Sequence, residues 1–240
     1  MIALLSTLAL AQESCSYVGL YGALDDLAPP AIVVVGERKG TPLDLHRADR
    51  IIGLLARREV PVTVAFEAIE SEFQPVLEEV ERGLVDPTSA GQRVSFADRW
   101  GFSFDAYAGL LERGLEGVDL VAAGLPYGLK PANETVPVPP GYYFALSASM
   151  GDAPVPVSFE ETLTSAFAWR SHQIAATALA GWNGEGYLVI VADRALVEGG
   201  QGVSWQAERL ADVAVRSVVL ANAQSPCAPG DRVWRDLWGR

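Results

Sequence analysis

The chain has 240 residues, half of them apolar and 20% charged, enough to bury a substantial core in one large domain or two small ones. With 18 basic residues against 30 acidic ones, the formal net charge is −12. Such a balance repels duplexes and anionic lipid surfaces, which sets nucleic acid aside as a partner.

The opening "MIALLSTLALAQESCS" holds a short apolar run over residues 2–11 that ends in Ala9-Leu10-Ala11, the small-x-small pattern of a signal-cleavage site. The run is well short of the ~20 residues that a bilayer-spanning helix needs, so no transmembrane segment is expected. Basic residues normally precede a signal run, and none does here. The expectation is an exported, periplasmic or extracytoplasmic protein: residues 1–11 the remnant of a signal peptide, 12–30 an N-terminal leader, 31–240 a single domain. Cys15 and Cys227 stand near opposite ends of the chain and are able to pair in an oxidising compartment.

"AIVVV" (31–35) is a continuous apolar run, as in a strand buried on both faces. Leu43, Ala48, Ile51, Ile52 and Leu55 then recur at helical spacing over 43–58. Pro61 opens "VTVAFE", a second strand ending in Glu67, and a helix over 73–80 stops at Gly83. "SFADRWGFSFDAYAGLLERG" predicts two short helices broken near Gly101, anchored by Phe96, Trp100, Phe104 and Tyr107. "VDLVAA" (118–123) is a third strand. A Pro/Gly-rich loop spans 124–143, a length more typical of functional covers than of plain connections. A long helix over 158–181, strands over 187–192 and 215–221, and a helix over 204–212 between them complete the order. The fold class is therefore α/β: a mostly parallel sheet with helices on both faces, plus helical insertions and the long loop.

Ligands of such sheets sit outside the carboxyl ends of the strands, which places Glu37 and Glu67 at one mouth. Strands joined by a single helix are commonly neighbours, so the two carboxylates are expected side by side. Paired carboxylates can hold a cation, or divide acid and base roles when their pKa values are pushed apart. Each can equally pair with a local Arg or Lys, or cap the following helix.

Four segments, "VVVGERKGTPLDLH", "PVTVAFEAIESEFQPVLE", "RWGFSFDAYAGLLE" and "VDLVAAGLP", resemble in order and spacing the ChaN family, haem-binding uptake proteins of the Tiki/erythromycin-esterase superfamily. The likeness covers roughly residues 31–126 and is weaker over 188–210. It implies an α/β fold and an extracytoplasmic, haem-binding role; association with a second copy as a homodimer is a separate expectation. Family members read Gly-Glu-x-His where this chain has Gly36-Glu37-Arg38-Lys39, and their later histidine falls near Leu196. Both pocket histidines are thus replaced. Without imidazole the site suits hard cations better than zinc, and metal-assisted hydrolysis is disfavoured. Lys39 can instead supply a fixed positive charge between the carboxylates, without Lewis acidity.

Candidate pocket residues are then Glu37, Arg38, Lys39, His46 and Glu67, with Glu37 and Glu67 catalytic only in an enzyme. Haem needs a flat apolar slot, an axial ligand and cations for its propionates. Tyr107 is the first candidate ligand, from the matched aromatic motif, with a core anchor as its other reading. His172 is the second, and Tyr127, Tyr142, Tyr143, His46 and Met150 stand behind them. Arg38 and Lys39 are placed to meet propionates. Three functions remain open: a carrier of haem or a similar apolar anion, a hydrolase using Glu37 and Glu67 without a metal, and a catalytically silent scaffold for a protein partner.

Overall fold

The continuous apolar runs become strands whose side chains are covered on both faces. The computed structural model describes residues 16–126, 135–143, 146, 157–220 and 232–234. Seven strands, β1 (Ser16–Val18), β2 (Ala31–Glu37), β3 (Val62–Glu70), β4 (Asp119–Gly124), β5 (Tyr187–Asp193), β6 (Ala214–Leu220) and β7 (Arg232–Trp234), form one sheet in the order β1-β7-β6-β2-β5-β3-β4. Every pairing is parallel. Every residue of β2 and β3 is buried.

Alternate residues of β2 feed two separate cores. Val33 and Val35 face α2 (Pro42–Ala56), α3 (Gln74–Glu81) and α6 (Asp105–Leu115), with Leu45, Ile51, Leu77 and Leu111 packed there. Ile32 and Val34 face α7 (Glu160–Ala180) and α8 (Val203–Leu210), through Ile174, Ala178, Val203 and Ala207. Helices therefore cover both faces, as the alternation of elements predicts.

The helical insertion between β3 and β4 holds α4 (Pro87–Arg93) and α5 (Phe96–Trp100) ahead of α6. Gly101, with φ of 72°, ends α5 and separates it from α6, as the aromatic motif suggests. The helix α4 was not expected. Its start is written in Asp86-Pro87: the Asp86 carboxylate accepts the Thr88 N–H at 2.9 Å, and proline stands at the first helical position.

Two expectations change. Residues 12–30 are not wholly a leader ahead of the domain, because β1 and α1 (Leu20–Leu24) lie within them and β1 pairs with β7 at the sheet edge. Also, β2 and β3 are not neighbours. The strand β5 lies between them, pairing with β2 on one side and β3 on the other. Nothing in local periodicity encodes strand order, and the long excursion through α7 returns the chain to the centre of the sheet. Residues 1–11, Cys15, Cys227 and 127–134 of the long loop lie outside the described residues.

At the far edge of the sheet, β4 is covered by side chains of α3. Gln74 donates to the Leu120 carbonyl at 2.9 Å and accepts the Ala122 N–H at 2.7 Å, while Glu81 accepts the Leu120 N–H at 2.5 Å.

Candidate functional site

The carboxyl end of β3 overruns its neighbour. Opposite β4 the register passes from Phe66–Ala122 to Glu70–Gly124, so β3 uses four steps where β4 uses two. The irregularity lifts Glu67 toward the mouth, the usual work of a bulge. It also demands glycine at 124: a Cβ there would lie 2.4 Å from the Glu67 carbonyl oxygen and 2.6 Å from that of Ile69.

The loop after β2 is held by an acid that sequence reading passed over. Asp44, fully buried in the first turn of α2, accepts the Arg38 backbone N–H at 3.1 Å. The same carboxylate takes the Arg38 guanidinium in a two-pronged grip at 2.8 and 2.9 Å. Arg38 is thereby turned to α2 and is not among the residues lining the cleft described below. Lys39 enters the mouth instead. Gly40 follows at φ of 70°, where a Cβ would meet the Phe102 ring at 2.6 Å.

Lys39 Nζ reaches both oxygens of Glu67, at 2.8 and 2.6 Å, and lies 3.6 Å from the centre of the Trp100 ring. Arg170, from α7, adds a second cation to Glu67 at 2.5 Å. Burial alone would raise the Glu67 carboxyl, but Lys39 and Arg170 outweigh it and hold the group below the usual carboxylate range. Glu67 is therefore ionised and ion-paired. The ammonium is fixed on Glu67 and acts on Glu37 only through space.

Glu37 behaves in the opposite way. It is 1% exposed, its Oε1 accepts the Tyr107 hydroxyl, and its Oε2 has no hydrogen-bond partner among the described residues. Burial pushes it up to about 8, against the Tyr107 bond and Lys39 and with help from the negative charges of Glu67 and Asp193. At neutral pH it is mostly a protonated acid. It is tucked beneath the mouth rather than lining it.

The cleft itself has a volume of about 540 Å³. Its floor and rim are Lys39, Glu67, Asp193, Arg99 and Arg170; Trp100, Phe167, Pro126 and Leu196 supply apolar walls. Trp100 is fixed by its indole N–H, which donates to the Ala68 carbonyl at 2.9 Å. Asp193 stands opposite Glu37 at the end of β5, with one oxygen accepting the Ala195 N–H at 2.9 Å. Burial raises its pKa, opposed by Lys39. Asp193 and Arg170 were missed. Asp193 ends "YLVIVAD" as Glu37 and Glu67 end their strands, so its signal was present; Arg170 had none.

The remaining candidates go elsewhere. His46 is exposed on α2 in a separate groove with Asp49 and Arg113, not at the cleft. His172 points its Nδ1 to Gln206 of α8 at 3.3 Å. Tyr107 is fully buried among Phe96 and Phe104, the core anchor of its alternative reading. Tyr142 is buried with its hydroxyl 3.2 Å from Ser171, and Tyr143 is half-buried. Tyr127 and Met150 lie outside the described residues. Among the described residues no group of three or more His, Cys, Asp or Glu is placed to hold a metal ion.

The fold is thus an open parallel α/β sheet with a charged, aromatic-walled cleft at its carboxyl edge, the place where such sheets bind ligands. The family described as "Haem-binding uptake, Tiki superfamily, ChaN" matches residues 23–132, so that segment of the chain is similar to it. Two solved structures share the fold. One is ChaN of Campylobacter jejuni, a protein with cofacial haem binding, 13% identical over 84% of this chain and 86% of that one at a TM-score of 0.63. The other is the type III effector HopBA1, 10% identical over 94% and 98% at 0.54. No curated protein matches the chain. At such identities the structural likeness is one of fold.

Proposed function

We propose that this chain binds haem, or an apolar anion like it, in the cleft between Trp100, Phe167 and the Glu67 ion cluster, as an exported protein serving haem or iron uptake. The observation that carries the reading is the pairing of apolar walls with Lys39 and Arg170 at one opening. A volume of about 540 Å³ falls within the usual ~300–1,000 Å³ of small-molecule sites. The family to which residues 23–132 are similar supplies the ligand class. The residues present suit the organic part of haem: rings for its faces and cations for its propionates. They do not suit its iron, because no His, Tyr, Cys or Met is among the described residues lining the cleft.

Hydrolysis fits the site less well. Glu67 would have to shed two cations to act as a base, and Glu37 is buried with its Oε1 accepting the Tyr107 hydroxyl. No described helix is long and apolar enough to cross a membrane. Association into a homodimer belongs to the same proposal and is read from the mass in solution with and without haemin. The direct test is a haemin titration of the protein followed in the visible spectrum. Saturation at a defined stoichiometry supports haem binding; weak, non-saturating association overturns it.

A further inference from the structure

The candidate iron ligands of the described chain are each committed elsewhere. The Tyr107 hydroxyl donates to Glu37 inside the core, and both its burial and the neighbouring carboxyl oppose the phenolate that would bind ferric iron. Tyr142 is buried on Ser171, His172 is turned to Gln206, and His46 belongs to the groove between α2 and α6. Lys39 spends its ammonium on both oxygens of Glu67 and on the Trp100 face. Leu196, where the family resemblance would put an imidazole, is an apolar wall. What the cleft does present is surface for a flat apolar body and cations for its acids.

Resting on the haem reading above, we propose that the cleft recognises a planar macrocyclic dicarboxylate through its rings and carboxylates, with no bond to iron from the described residues. Trp100 and Phe167 take the apolar body. Arg170, held by Glu67 at one guanidinium nitrogen and partly exposed, meets a carboxylate. Iron then adds nothing to affinity, and a metal-free porphyrin occupies the same place. This separates the chain from haem sites organised around an axial ligand, whose selectivity lies in the metal.

The experiment titrates the full chain with haemin, protoporphyrin IX and protoporphyrin IX dimethyl ester, read by quenching of tryptophan fluorescence. The expected result is that haemin and the free porphyrin bind within about threefold of each other, while the ester binds at least about tenfold more weakly, the scale of one lost charged hydrogen bond. Arg170→Gln should weaken both acids by a similar factor; the ester comparison carries the test on the unaltered protein if that variant folds poorly. Haemin binding more than about thirtyfold tighter than the free porphyrin would overturn the inference while leaving haem binding intact. So would a haemin preference abolished by Asp193→Asn or Tyr127→Phe. An ester that binds as well as the acids removes the carboxylate part and overturns it too. Binding of neither porphyrin ends the haem reading itself, and this inference with it.

Discussion

Replacing Glu37 by glutamine should remove one source of pH sensitivity from the core. The carboxyl is moved from its ordinary 4.5 to about 8 by burial. A pKa above the unfolded value means that folding holds the proton more tightly. The Glu37 contribution is therefore fully present below about 4.5 and lost as pH rises through about 8. At about 1.36 kcal/mol per pKa step, the change from 4.5 to about 8 amounts to about 5 kcal/mol between those limits. Glutamine keeps the acceptor for Tyr107 and puts an uncharged amide where Oε2 stands. Glu67, whose pKa is lowered, works in the other direction, being lost as pH falls below the carboxylate range; it is present in both proteins and cancels in their difference. Urea unfolding at intervals from pH 5 to pH 9 measures the effect. Glu37→Gln should be close to neutral near pH 5 and increasingly more stable than the parent toward pH 9, by several kcal/mol with about 5 as the bound. Parallel stability profiles for the two proteins would refute the assignment of a buried, protonated Glu37.

Other substitutions probe the rest of the cluster. Lys39→Ala leaves a 1% exposed Glu67 with Arg170 alone and should cost about 3 kcal/mol by denaturant unfolding; unchanged stability would show that the ammonium is not structural. Tyr107→Phe should cost about 1–3 kcal/mol by orphaning the second Glu37 oxygen, while the visible band of any bound haemin stays where it was. Asp44→Asn weakens the grip on Arg38 and should lower stability by about 1.5–3 kcal/mol, with weaker haemin binding as Lys39 loses its support. Gly124→Ala forces β3 and β4 apart against two carbonyl oxygens; soluble expression and thermal midpoint should both fall, and an unchanged midpoint would discredit the close strand approach.

The residues that were legible in the sequence are those with a local signature. Apolar runs announced β2 to β6, and their last residues announced Glu37 and Glu67. The substitutions at Lys39 and Leu196 pointed to a cleft in which both now stand. Strand order was not legible, because β5 enters between β2 and β3 only after the long loop and α7, and no residue in either strand records it. Asp193 carried the same strand-end mark but gained meaning only from that placement. Arg170 meets Glu67 across 103 residues of chain, on a helix with no distinguishing pattern at that point. Tyr107 shows a different limit: its aromatic spacing identifies a core position, but the carboxyl that its hydroxyl meets comes from another element.

The side chains of Gln74 and Glu81 do for β4 what an eighth strand would have done. Between them they occupy both N–H groups and a carbonyl along Leu120–Ala122, the groups an incoming extended segment would need. A carboxamide and a carboxylate thus terminate the ladder chemically, and this border offers no template for edge-to-edge growth. Two copies of the chain that meet in solution cannot join their sheets through β4. A truncation or substitution that removes Gln74 would reopen the border, and concentration-dependent fibrous association, rather than loss of ligand, would be its first symptom.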